Sequence, residues 1–242
     1  MIKSLFRFFG LTIRRVSPSS DEGSLIATVI DKFEISNVLD IGANIGQFGK
    51  ELRKNGYRGK IISFEPLVSA HSELLSTAQS DHNWQVYPRC ALGGEEKICS
   101  FHVSENSVSS SLLKVNNIHL AAAPNSRIVS NEQVEMKKLS SVMSELQLFN
   151  EKTLLKLDVQ GAEYEILEEM GGRLAQFDAI ITELSIVTLY EDQKTWLDVK
   201  RKIEDRGFKL WSVISGFTDN ETGRSLQIDM IFVNKRLFEI FE

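Results

Sequence analysis

Three ionisable residues stand close together in Lys156-Leu157-Asp158-Val159-Gln160-Gly161-Ala162-Glu163. Lys156 and Asp158 are two apart in a strand-like run, so they point to the same side. Gly161 turns the chain into a helix. Glu163 then falls in the first helical turn, near the positive end of the dipole. A carboxylate so placed can take the proton of a reacting hydroxyl. A lysine beside it can steady the developing negative charge or tune the carboxylates. Lys156, Asp158 and Glu163 are therefore the candidate catalytic residues. Each also has a plainer reading: a structural Lys156–Asp158 ion pair, Asp158 as a helix cap, Glu163 as a dipole partner. Glu183 ends the next strand at the same edge and is a candidate substrate contact. Ser110 and Ser111, in the run Ser107–Ser111, are candidate substrate contacts on a lid or substrate loop. Asp158, Glu163 and Glu183 are possible oxygen ligands for a metal, but no histidine sits at a convincing ligand spacing to them, and no metal is expected.

A second constellation is Asp40-Ile41-Gly42-Ala43-Asn44-Ile45-Gly46-Gln47, at the end of an apolar strand. A dinucleotide site wants Gly-x-Gly-x-x-Gly, because a pyrophosphate rests against bare backbone. Asn44 and Gln47 occupy two of those three glycine positions, so that fingerprint fails. The pattern present is Asp-x-Gly-x-x-x-Gly. It suits S-adenosylmethionine, whose methionine end is cationic and can be held by Asp40. Glu65 ends the next strand, where a carboxylate can accept hydrogen bonds from ribose hydroxyls. Asp40, Gly42, Asn44, Gly46, Gln47, Glu65 and the strand-end Asp158 are the expected cofactor contacts.

Strands and helices alternate around these residues. Strands are expected at Asn37–Gly42, Lys60–Glu65, Trp84–Tyr87, Lys97–Val103, Leu154–Val159 and Asp178–Leu184. Helices are expected at Leu25–Phe33, after the first strand through about Asn55, and at Val68–Ala78, Leu139–Phe149, Ala162–Met170 and Trp196–Arg206. Such alternation predicts an α/β fold, a doubly wound and mostly parallel seven-stranded sheet with helices on both faces. The last two strands, Phe208–Val213 and Leu226–Val233, are too close for a crossover helix. They should form a hairpin with the final strand antiparallel. The stretch Glu105–Ser130, rich in Ser, Asn and Ala, reads as a long loop or broken helix.

The chain has 242 residues and a net charge of −5. That length fits one domain, residues 35–242, behind an N-terminal helical segment, residues 1–34. No basic field is available for a polyanion, so nucleic acid is not an expected partner. Cys90 and Cys99 form neither a disulfide framework nor a zinc site, as expected of a cytoplasmic protein. Residues 1–16 mix bulky apolar residues with cations and lack a signal-peptide cleavage site. They read as a packing helix or, more sharply, as a helix that touches a partner or the inner face of a membrane.

Val38–Phe48, Phe64-Glu65-Pro66 and Lys156–Glu163 together resemble the FkbM-type methyltransferases. Ala91-Leu92-Gly93 and Asn106–Leu112 are weaker matches in the expected order. The likeness runs from about Asn37 to Ser185. It implies a class I methyltransferase fold with Pro66 and Ala91 among the cofactor contacts. It also implies O-methylation of a sugar, a glycan or another small hydroxylated acceptor. After the strand-like run Val134–Met136, such proteins often carry Leu-Asp, where this chain has Leu139-Ser140. That departure puts a helix cap in doubt. The competing readings are a non-catalytic cofactor-binding scaffold and an NAD-dependent oxidoreductase.

Overall fold

The computed structural model describes residues 10, 15–148 and 151–238. The expected helix within residues 1–16 lies almost wholly outside them. The main sheet has seven strands in the order β3-β2-β1-β7-β8-β10-β9. They are β1 (Asn37–Ile41), β2 (Lys60–Phe64), β3 (Trp84–Val86), β7 (Thr153–Leu157), β8 (Ala179–Ser185), β9 (Phe208–Ser215) and β10 (Gln227–Asn234). The strands from β3 to β8 run parallel. The last strand, β10, inserts between β8 and β9 and is antiparallel to both. Strand order reverses between β1 and β7, which is where ligands bind in such sheets, at the carboxyl ends of the strands.

The apolar residues of each strand alternate between two faces. Leu39, Ile41, Leu155 and Leu157 join one core with Val142 and Met143 of α5 (Leu139–Leu146), Ile166 of α6 (Glu163–Met170) and Ile203 of α7 (Trp196–Asp205). Val38, Leu154, Ile181 and Ile231 join a second core. Against it pack α1 (Glu22–Phe33), α2 (Gln47–Lys54), α3 (Val68–Ala78) and the short α8 (Lys235–Phe238). The helix α1 presents Ile26, Val29, Ile30 and Phe33 on one stripe, the spacing of a helix that covers a core. Asp21 caps it by accepting from the Ser24 N–H at 2.7 Å. Residues 22–33 thus share a core with the sheet, and residue 34 does not divide two packing units.

Two features were not foreseen. The strands β4 (Ala91–Leu92), β5 (Lys97–Ser104) and β6 (Ile128–Lys137) form a separate three-stranded sheet, order β4-β6-β5. The expected long loop is correspondingly shorter, because its last residues belong to β6. What remains is a short 3-10 turn at Ser107–Ser109, the helix α4 (Asn117–Ala122) and a second 3-10 turn at Pro124–Ser126. The helix α5 carries no side-chain cap at Lys138. Glu169 of α6 does that work instead, accepting from the Ser140 N–H at 3.0 Å and the Ser140 hydroxyl at 2.8 Å. The missing Asp of the expected Leu-Asp pair is thereby replaced by a carboxylate from another helix.

Candidate active site

The loops after β1, β2 and β7, with the strands β8 and β10, line one cavity of about 750 Å³. Gly42, Asn44, Gln47, Glu65, Pro66, Ala91, Ser110, Lys156, Asp158 and Glu183 line it. Sequence reading placed all ten at a site, and the fold brings them together.

One end lies over β1 and β2. Gly42 has φ +79°, and a Cβ there would sit 1.8 Å from the Asp158 carbonyl oxygen. Only glycine lets these two loops touch. Asn44 also takes a left-handed conformation, φ +47°. Its N–H donates to Glu65 Oε2 at 2.8 Å, and the Leu67 N–H donates to Glu65 Oε1 at 2.9 Å. Burial pushes the Glu65 carboxyl up to about 7, against the pull of those two N–H groups and the Lys156 charge. Phe64, Pro66, Leu67, Ala91 and Leu92 make the adjoining wall apolar. The side chain of Asn44 reaches Ser107 Oγ at 3.0 Å and so ties the 3-10 turn to the β1 loop.

The other end is acidic and lies over β7, β8 and β10. Gln160, left-handed at φ +57°, is its hub. Its amide nitrogen donates to Asp158 Oδ1 and to Glu183 Oε2, both at 2.7 Å. Its amide oxygen accepts from the Tyr190 hydroxyl at 2.6 Å. Gln227 of β10 donates to the same Glu183 oxygen at 2.6 Å. Asp229 is the cross-strand partner of Glu183 and lines the same wall. Burial, with the charges of Asp158 and Asp229, holds the Glu183 carboxyl well above the usual range. Burial, with the charges of Asp158 and Glu22, pushes Asp229 up to about 7.

Lys156 joins the two ends. Its ammonium donates to the Gly42 carbonyl at 2.9 Å and lies 3.2 Å from Asp40 and 3.3 Å from Asp158. Burial alone would lower its pKa. The Asp158 and Asp40 carboxylates outweigh that and raise it, so Lys156 stays a cation.

Four expected contacts do not reach the cavity wall. Asp40 is fully buried beneath it, paired with Lys156 and accepting from the Ser63 hydroxyl at 3.1 Å. It stands on the face of β1 that looks toward α1, opposite Lys156 in register. It orients the lysine, where the sequence suggested direct contact with the methionine end. Gly46 packs at the start of α2, where a Cβ would press on Leu74, Thr77 and Trp84. Glu163 is 4% exposed and accepts from the Val159 and Gly161 N–H groups at 3.1 Å. Burial raises its pKa to about 7, against the pull of those N–H donors. In this fold it staples the β7–α6 loop. Ser111 is 1% exposed and donates to the Gln160 carbonyl at 2.6 Å. It holds the hub in place, whereas Ser110 lines the cavity with its hydroxyl accepting from the Ser104 N–H at 3.0 Å.

Gln160, Gln227, Asp229 and Tyr190 were not singled out from the sequence. Asp229 did leave a signal, a lone charge inside the apolar run Gln227–Asn234. His119 is 3% exposed and lines the cavity from α4. Among the described residues, no cluster of three His, Cys, Asp or Glu is arranged to hold a metal ion. No helix among them is long and apolar enough to cross a membrane.

The β1–β2 end fits S-adenosylmethionine on its own geometry. The Gly42 cradle admits no Cβ, the buried Glu65 carboxylate faces a cavity, and an apolar wall flanks it. When bound, that cofactor supplies an electrophilic methyl group on a sulfonium.

Known proteins place the chain further. "Methyltransferase 1" of Beauveria bassiana (strain ARSEF 2860) is 25% identical over 183 residues, 72% of each protein. Among solved structures, fibrillarin of Aeropyrum pernix, with natively bound S-adenosyl-L-methionine, matches with a TM-score of 0.49 and 12% identity. That match covers 88% of this chain and 73% of fibrillarin. Methyltransferase FkbM of Methylobacillus flagellatus KT matches with a TM-score of 0.48 and 12% identity, over 81% of this chain and 44% of that one. The methyltransferase FkbM domain model matches residues 40–210. This chain therefore belongs to the FkbM methyltransferase family, with S-adenosylmethionine as its methyl donor.

Proposed function

We propose that the protein is an O-methyltransferase that acts on a hydroxyl of a sugar, a glycan or another small polyol. The observation that carries this reading is the double hydrogen bond of Gln160 to Asp158 and Glu183, both at 2.7 Å, beside the cofactor end of one cavity. A hydroxyl is a poor nucleophile and needs a base within hydrogen-bond reach. Asp158 is the candidate. It is part-exposed to the cavity, and its other oxygen is steadied by Lys156. Glu183 and Gln160 offer hydrogen bonds that orient an acceptor, and alignment is the main source of rate in a displacement at carbon. The acidic wall disfavours nucleic acid as acceptor. The free cysteines Cys90 and Cys99 accord with a cytoplasmic enzyme.

The test is incubation with methyl-labelled S-adenosylmethionine and a panel of sugars and polyols, followed by NMR and mass spectrometry of the products. A labelled methyl ether, lost in Asp158→Asn while cofactor binding persists, is the expected result. Label on nitrogen or carbon alone would overturn the reading. A folded protein that binds the cofactor and transfers to none of the panel would favour a scaffold.

A further inference from the structure

The acidic end holds more negative charge than a hydroxyl acceptor needs. Glu183 and Asp229 face each other across β8 and β10, and Glu22 of α1 and Glu51 of α2 close the same cavity. Like charges directly opposite on a sheet are destabilising. Among the described residues of the wall, Lys156 is the one lysine or arginine, and its ammonium is already shared by Asp40 and Asp158. Glu22 is exposed and Glu51 pairs with Lys54 at 3.0 Å, so the cost falls on Glu183 and Asp229, half-buried without a counter-ion, and a ligand cation removes it.

Position separates Glu183 and Asp229 from the cofactor loop. The switch point lies between β1 and β7, and Asp229 on β10 stands two strands beyond β7, roughly 10 Å away at about 4.8 Å per strand. A second observation points to a ligand in the same cavity. His119 lines the cavity at 3% exposure, and its Nδ1 has no hydrogen-bond partner. Its ring packs edge-on against Tyr190 at 5.2 Å, and the Tyr190 hydroxyl bonds the Gln160 hub. Burial lowers the pKa of the imidazole, so it offers a neutral partner to a hydroxyl.

We propose that this end selects a hydroxylated acceptor bearing a protonated amine, with the ammonium against Glu183, Asp229 and Glu22 and a hydroxyl toward His119. Anionic acceptors such as uronates are excluded by the same wall. The inference rests on the O-methylation reading and names its substrate class.

The test uses three probes that differ in charge: D-glucosamine, D-glucose and D-glucuronate. Each is titrated into the full-length protein saturated with S-adenosylhomocysteine, with binding followed by saturation-transfer NMR. Glucosamine should bind at least about tenfold tighter than glucose, a difference of about 1.4 kcal/mol, and glucuronate least. Asp229→Asn, a neutral replacement of similar shape, should cut glucosamine affinity about tenfold and leave glucose unchanged. His119→Gln should weaken glucosamine and glucose alike without changing S-adenosylhomocysteine binding. Unchanged sugar binding in that variant would overturn the part given to His119. Glucuronate binding as tightly as glucosamine would overturn the proposal. So would glucosamine binding no tighter than glucose, silence from all three included. Failure of the underlying reading looks different. Glucosamine would then bind with the stated preference, yet labelled S-adenosylmethionine would leave no methyl on any of its oxygens.

Discussion

The two ends of the cavity are built by different means. At the β1–β2 end, the wall comes from short stretches, residues 42–44 and 47, 64–67 and 90–92, and its key contacts are made by backbone. At the acidic end, the wall is made of side chains gathered from Glu22 to Asp229, nearly the whole described chain. A backbone cradle tolerates little change in shape, because a Cβ or a lost N–H cannot be repaired by a rotamer. A side-chain network can be re-tuned one residue at a time.

The largest expected effect is at the cradle. Gly42→Ala places a Cβ against the Asp158 carbonyl at a left-handed φ. It should cost about 3 kcal/mol or more of stability and abolish S-adenosylhomocysteine binding, read by thermal melts and calorimetry. A variant that binds normally would break the contrast. Next is Glu65→Ala, which should weaken the cofactor about a hundredfold, near 3 kcal/mol. A smaller loss, shared by Glu65→Gln, would mean that packing rather than the carboxylate matters.

At the acidic end, Gln160→Ala should lower kcat about a hundredfold while cofactor affinity stays within about twofold. Equal loss of both would merge the two ends into one. Glu163→Gln should cost about 1–2 kcal/mol of stability, because the carboxylate only staples a loop. Its kcat should keep the pH profile of the parent. Loss of that profile would restore Glu163 as a base.

A separate expectation is a pH dependence of the ligand-free protein. Glu65, Glu163 and Asp229 titrate near 7 in the fold, above the ordinary carboxylate range of the unfolded chain. Between those values the folded state binds more protons, so their contribution to stability is lost as pH rises through about 7. The melting temperature should therefore rise as pH falls from about 8 to about 5. Saturating S-adenosylhomocysteine should remove the Glu65 share and leave the Asp229 share. A melting temperature flat across that window would show that these groups are not raised.

The strand and helix pattern was legible to within a few residues, and β2 and α3 show why. Each is a run of one hydrophobic period bounded by a glycine or proline. Leu139–Leu146 was equally clear, although its cap at Ser140 comes from Glu169, which no local reading could supply. The small sheet β4-β6-β5 was missed because β6 alternates weakly and is mostly exposed, so periodicity carried little signal. Of the candidate site, the motif residues Gly42, Glu65, Lys156 and Asp158 could be read because spacing within one loop or strand fixes which side they share. Asp40 shows the limit. Its place at a strand end suggested a contact with the cofactor, but which face it took depended on the pairing of β1 with β7.

By itself the sequence determined the alternation of elements, the cofactor loop with its two left-handed glycines, and the membership in a methyltransferase family. These are local properties, set by side-chain period and by φ, ψ preference within a few residues. Only the tertiary structure decided that Asp40 serves Lys156, that Glu163 holds a loop, and that His119 and Asp229 share a wall with Asp158. Those placements depend on strand register and on a final strand inserted between β8 and β9, where a slip of one residue would turn every side chain to the opposite face.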